Sequence, residues 1–295
     1  MERQKNEPRS FIMLIGAMFI YGTIGVFRRY IPISSAALAL LRGIIGSLLL
    51  LGIKPVSRKS VLPKADKRTL LLLVISGGLI GFNWIFLFES YNYTTVATAT
   101  LCYYLEPSIV MLLSPVFFKE KLTVKKLICV IAAFVGMILV SGVIQTGIPG
   151  IKEIKGILFG IAAAAIYSAV VILNKKLPKI EPLSKTLVQL ISASVVILPY
   201  VFISQGFSGL PTDARSLVLI AVVGVVHTGI AYALYFGSMN GLNTQTVAIF
   251  SYVDPVTALF LSLFVLHEKV TVPGIVGAVL MIGSAIVSVT GKEQE

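Results

Sequence analysis

Thr94–Val124 reads TTVATATLCYYLEPSIVMLLSPVFFKEKLTV, and Leu242–Val272 reads LNTQTVAIFSYVDPVTALFLSLFVLHEKVTV. The second stretch repeats the first at a displacement of 148 positions. Tyr104 falls on Tyr252, Glu106-Pro107 on Asp254-Pro255, Glu120-Lys121 on Glu268-Lys269, and Thr123-Val124 on Thr271-Val272. The register continues upstream without a gap, with Gly81, Phe88, Ser90 and Asn92 meeting Gly229, Phe236, Ser238 and Asn240. A repeat of this length is half a protein rather than a small stacked unit. It divides the chain into residues 1–148 and 149–295, with Gly147-Ile148-Pro149-Gly150 as the linker. Each copy sets one carboxyl and one proline in the middle of an apolar run.

The 295 residues are 56% hydrophobic and only 13% charged, with a mean hydropathy of +0.92. A soluble domain carries roughly 25% charged residues, so the composition excludes a water-soluble globule. The net charge of +12 does not point to nucleic acid, because the positive residues lie between apolar runs rather than in one patch. That distribution is the mark of membrane topology. Cys102 and Cys129 both lie inside apolar runs and give neither a disulfide framework nor a metal spacing. The first apolar run lacks a small-x-small cleavage site and is followed by many like it, so it reads as a span rather than a signal.

Ten apolar segments follow one another: 10–30, 34–53, 69–89, 94–118, 123–143, 155–174, 184–204, 214–236, 243–266 and 272–290. Each is long enough to cross a hydrocarbon layer of ~30 Å. In lipid the backbone must satisfy its own hydrogen bonds, and no alternating pattern suggests a barrel, so all ten are expected to be transmembrane helices. With the amino terminus inside, the inner segments hold eighteen Lys and Arg against six outside. The inner set includes Arg3, Lys5, Lys54, Arg58, Lys59, Lys64, Lys121, Lys179 and Lys292. This excess predicts a multi-pass protein of the cytoplasmic membrane with both termini in the cytoplasm. Five spans per half is an odd number, so the second half enters the membrane upside down. The expected fold is therefore an all-α membrane protein, two inverted five-helix repeats around a central cavity. Inverted repeats are found in secondary transporters that work by alternating access, with the halves rocking about a midplane site. Duplication without transport, in a membrane enzyme or scaffold, is the competing explanation.

The ten-span pattern, the five-plus-five repeat and the YYxxP…EK(L/V)T signature resemble the EamA branch of the drug/metabolite transporter superfamily. The resemblance covers nearly the whole chain. It implies movement of small organic solutes such as amino acids, amines or nucleobases. It also implies a cavity lined by spans 1, 3, 4, 6, 8 and 9. Members often carry a small apolar residue where Glu106 stands, so this chain departs from the family pattern there.

Glu106 and Asp254 both sit near the middle of their spans, which at ~1.5 Å per residue means near the midplane. A carboxylate there costs at least ~2.5–3.5 kcal/mol unless it faces protein or water. Both are expected to face the interior, as candidates for proton or cation binding. Pro107 and Pro255 each free a carbonyl about one turn back, near Tyr103 and Ser251, for substrate or for a neighbouring helix. A helix broken at midplane is itself a pointer to a transport site. Asn83, Trp84, Tyr103, Tyr232, Tyr252, Tyr21 and Tyr167 are the candidate substrate contacts; an aromatic cage beside a carboxylate suits an amine. For any single ring, ordinary packing or an interfacial belt is the weightier explanation. Arg42, inside span 2, is a structural ion pair or an anchor for a substrate carboxylate. Glu89 lies at the end of span 3 and reads as interfacial. His227, alone in span 8, reads as a packing residue with titration as the alternative.

No hydrolase, phosphate-loop or metal-ligand pattern is present, so the expectation is no enzyme, no cofactor and no metal. The partners expected are a small-molecule substrate, the lipid bilayer and protons. Gly274, Gly277, Ala278, Gly283 and Ser284 in span 10 suit internal packing or a dimer seam, and leave monomer and homodimer open. A flippase of a lipid-linked small molecule is the rival reading. A membrane-embedded enzyme or receptor is the weaker one.

Overall fold

The structure is a computed structural model and describes residues 7–53, 63, 65–119, 122–140, 150–178, 180–204, 211, 213–238, 242, 247 and 250–289. Outside them lie most of the linker (Gly147–Pro149), the Glu120-Lys121 pair and the start of the second copy (243–246). The inner cations Arg3, Lys5, Lys54, Arg58, Lys59, Lys64, Lys121, Lys179 and Lys292 also lie outside the described residues.

Regular structure is helical throughout the described residues. The helices are α1 (Glu7–Tyr30), α2 (Ser35–Ile53), α3 (Lys67–Tyr93), α4 (Val96–Tyr103), α5 (Glu106–Phe118) and α6 (Val124–Val140). They continue as α7 (Ile151–Lys176), α8 (Pro182–Ser204), α9 (Ala214–Val222), α10 (Ala231–Ser238), α11 (Val253–Phe264) and α12 (Val272–Val289). A π-helix, Val223–Ile230, joins α9 to α10. Seven helical stretches are long and apolar enough to cross a membrane by length and composition, and two shorter apolar helices follow. Against the ten spans expected, α6 has 17 residues and α11 has 12. Residues 141–143 of the fifth expected span, and most of 243–249 of the ninth, fall outside the described residues.

Local chemistry sets the boundaries. Asp66 begins α3 by accepting from the Thr69 backbone N–H at 3.3 Å, and Asp213 begins α9 by accepting from the Ser216 N–H at 2.9 Å. Each supplies an acceptor to a helix end that has surplus donors. The fourth expected span is not one kinked helix. Its first part ends at Tyr103, with Tyr104 N–H on Thr100 O (3.0 Å) and Leu105 N–H on Cys102 O (3.2 Å). A new helix then starts at Glu106, which puts Pro107 in its first turn, where a missing N–H removes no helical bond. The proline thus restarts a helix instead of bending one. The eighth expected span also departs from plain α-helix. In its π-helical part Thr228 Oγ1 donates to Val223 O, five residues back, at 3.1 Å. Gly224 and Gly229 there press on Ile45 and Leu49 of α2, so a side chain at either would collide.

Tertiary packing interleaves the two sequence halves. The most extensive interfaces, α3 with α7, α6 with α12 and α3 with α8, each join an early helix to a late one. Helices at matching places in the repeat cross at small residues and run in opposite directions. On α2 and α8, Gly43 meets Ser194 while Gly46 meets Leu190. On α6 and α12, Gly136 approaches Met281 while Val140 approaches Gly277. A Cβ on Gly136 would stand 2.6 Å from Gly277 O, so a side chain there would separate the pair. Gly277 therefore serves internal packing. Val116, Val195, Phe260 and Val279 lie exposed on the outside of the bundle, as suits a surface in contact with lipid.

Candidate functional site

The restart at Glu106 and its counterpart at Asp254 come together in the middle of the bundle. Tyr104, in the turn between α4 and α5, donates its hydroxyl to Asp254 Oδ2 at 2.7 Å and also reaches Ser251 O at 3.3 Å. Ser251 O is one of the carbonyls that the sequence marked as freed, and a neighbouring helix segment takes it up. The Tyr104 and Tyr252 rings lie 5.9 Å apart. The turn that the proline imposes thus aims a tyrosine of one copy at the carboxyl of the other.

Glu106 is treated differently. Its backbone carbonyl accepts from Ser168 Oγ of α7 at 3.2 Å. Among the described residues its carboxyl has no hydrogen-bond or salt-bridge partner. Tyr103, Tyr167, Tyr235 and Tyr252 surround it within electrostatic reach. Tyr103 and Tyr167 are 5.8 Å apart, and Tyr21 stands 5.8 Å from Tyr232 and 6.5 Å from Tyr235. Tyr103, Tyr104, Glu106, Tyr167, Tyr232, Tyr235 and Asp254 are all half-buried, at or near helix ends or within α7 and α10.

Arg42 enters the same region from α2. Its Nε donates to Thr228 Oγ1 at 3.0 Å, and its guanidinium carbon lies 4.3 Å from the Trp84 ring centre and 5.4 Å from that of Phe88. It is only 4% exposed, so it does not reach out to the membrane surface, and no carboxylate of the described residues pairs with it. Tyr21, Tyr103 and Tyr232 lie within its electrostatic reach.

The remaining candidates make local contacts, and of them His227 lies within electrostatic reach of Arg42. Asn83 Nδ2 donates to Ala163 O of α7 at 2.7 Å, so its amide nitrogen ties two helices together. Glu89 accepts from Asn92 Nδ2 at 3.4 Å near the end of α3. His227 has Thr23 Oγ1 2.8 Å from its Nε2 and the Phe27 ring at 4.7 Å, which joins the π-helix to α1.

Two features were missed as site residues in the sequence. Tyr104 is one, although its alignment with Tyr252 was a visible signal. The other is a polar cluster at one end of the bundle. Glu268 Oε1 bonds Arg29 Nη2 at 2.7 Å, and Glu268 Oε2 accepts from the Val96 N–H at 2.8 Å and from Ser262 Oγ. Arg29 Nη2 also donates to Thr94 O at 2.7 Å. The repeated Glu-Lys pair marked this position, but nothing in the sequence identified Arg29 and the start of α4 as its partners. The cluster places the beginning of α4 beside the stretch that follows α11.

The sequence model of the EamA-like transporter family matches residues 9–142 and 154–290. An uncharacterized transporter of Bacillus subtilis, YxxF, is 29% identical over 87% of this chain and 82% of its own length. An uncharacterized transporter of Archaeoglobus fulgidus is 27% identical over 91% of this chain and 92% of its own. Protein RarD of Salmonella typhimurium is 26% identical over 87% and 86%. A solved crystal structure superposes with a TM-score of 0.63 at 20% identity, covering 95% of this chain and 96% of that one, and shows a shared fold. Two matched halves, apolar helices of membrane-spanning length and a polar centre between them agree: the chain belongs to the EamA-like transporter family of multi-pass membrane proteins.

Proposed function

We propose that this protein is a secondary transporter. It moves a small polar organic metabolite across the cytoplasmic membrane by alternating access, with Glu106 as the proton or cation site. The chain forms ten spans, five in each of two inverted repeats, 1–148 and 149–295, with both termini in the cytoplasm. The opposite directions of α2 and α8, and of α6 and α12, support the inversion, since these are matching helices of the repeat. So does Glu268 at the start of α4, which sets matching spans head to tail. Because the largest interfaces cross between halves, motion belongs to the segments beside the restarts at Glu106 and Asp254 rather than to two separate bundles.

The observation that carries this reading is the Glu106 carboxyl, unpartnered among the described residues, half-buried and ringed by tyrosines. An interior acid is retained against a cost of several kcal/mol only where it has work to do. Tyr103, Tyr167, Tyr232, Tyr235 and Tyr252 form the wall that receives the substrate, with Trp84 and Tyr21 toward Arg42. The deciding experiment is transport into proteoliposomes under an imposed pH gradient, comparing wild type with Glu106→Gln. Loss of gradient-driven accumulation supports the coupling role. Accumulation that stays gradient-driven and undiminished in the variant defeats it.

A further inference from the structure

The centre holds a buried cation as well as two carboxyls, and proton or cation binding at Glu106 gives that cation no task. Arg42 is held in place by two contacts, Nε on Thr228 Oγ1 at 3.0 Å and the guanidinium plane on the Trp84 ring at 4.3 Å. What these contacts leave open is the fork. Among the described residues Nη1 and Nη2 have no hydrogen-bond partner, and neither Glu106 nor Asp254 pairs with them. The side chain is nonetheless 4% exposed. Beside it, within electrostatic reach, the Tyr21 hydroxyl is also buried without a partner. An uncompensated guanidinium inside a protein carries a large desolvation penalty. Its planar fork matches a carboxylate, which accepts two parallel N–H bonds, and a nearby phenol adds a third donor.

Resting on the transport reading above, we infer that the transported solute carries a carboxylate, held by the two Arg42 Nη groups and the Tyr21 hydroxyl. The tyrosine wall and Glu106 receive the rest of the molecule. The anion neutralises a buried cation that no carboxylate of the described residues pairs with. It also separates this site from an amine-only cage, in which a second buried positive charge would repel the ligand.

Trp84 is the only tryptophan in the chain, and it lies directly against the Arg42 guanidinium, so its emission reports on the surroundings of that group. The test titrates the full-length protein in lipid nanodiscs with benzoate, L-leucine and L-glutamate. Benzamide, L-leucinamide, isopentylamine and inorganic phosphate serve as controls. The expected result is a saturable change in Trp84 emission with at least one carboxylate, and binding at least about tenfold weaker for its amide. Arg42→Gln abolishes the response and Arg42→Lys weakens it about tenfold, because a point charge does not replace a fork. Tyr21→Phe, which removes one hydroxyl, weakens it a few-fold, so the answer does not depend on Arg42→Gln folding. The inference is overturned if amides or amines bind as well as carboxylates, if phosphate is the sole binder, if no carboxylate changes the emission, or if the response survives in Arg42→Gln. Arg42-dependent binding without flux in proteoliposomes would defeat the transport reading and leave this one standing. Coupled flux of an amine with no carboxylate response would do the reverse.

Discussion

Two helix restarts, Tyr104–Pro107 and Tyr252–Pro255, come from one repeated sequence and end in different chemistry. At the second, Asp254 accepts a 2.7 Å bond from Tyr104. At the first, Tyr252 gives Glu106 no such bond, and among the described residues the longer carboxyl stands unpartnered beside tyrosines. The caps of matching helices show the opposite trend, since Asp66 on α3 and Asp213 on α9 make the same kind of bond to the third residue on. The halves stay alike where the requirement is to start a helix, and diverge where groups meet across the centre. Duplication supplies two equivalent positions, and one tyrosine hydroxyl partners one carboxyl and leaves the other without a hydrogen bond among the described residues.

The largest effect should come from the unpartnered side. Glu106→Gln should reduce gradient-driven uptake to the level of empty proteoliposomes while leaving the melting temperature unchanged. Asp254→Asn should behave in the reverse sense. The Tyr104 hydroxyl then has an amide oxygen in place of a carboxyl as its acceptor, which costs about 0.5–1.5 kcal/mol, read as a fall in the denaturation midpoint with uptake retained in part. A double-mutant cycle sharpens this contrast. Tyr104→Phe with Asp254→Asn should show a coupling energy of about 1 kcal/mol or more, and Tyr252→Phe with Glu106→Gln a coupling near zero. Equal coupling in the two cycles would erase the proposed division of labour.

The smallest effect belongs to the caps, and it should be the same in both halves. The Thr69 hydroxyl holds the Asp66 carboxyl below the usual carboxylate range, and the Ser216 N–H does the same for Asp213. A depressed folded-state value means stability that is present above the ordinary carboxyl titration near pH ~4 and lost as the pH falls through the depressed value. Asp66→Asn and Asp213→Asn should each lower the melting temperature by no more than about 2 °C at neutral pH. The difference from wild type should shrink on acidification. A cap that mattered in one half only would extend the asymmetry from the centre to the ends.

The repeat, the helical fold, the membrane setting and the family were legible in the chain. They rest on composition and on spacing along the sequence, which apolar length and an unbroken 148-residue register encode directly. The carboxyl and proline inside each apolar run also marked the two segments that meet through Tyr104 and Asp254. The pairings across the centre were not legible. Asn83 and Trp84 are neighbours in sequence, yet the first ties α3 to α7 and the second stacks on Arg42. Glu268 and Val96 are 172 positions apart, yet one bond joins them. Sequence by itself determined where along its own helix a group lies, since that follows from counting residues along a helix of fixed rise. Tertiary structure alone decided which groups meet, since rotation and crossing of helices set partners that no spacing along one chain records.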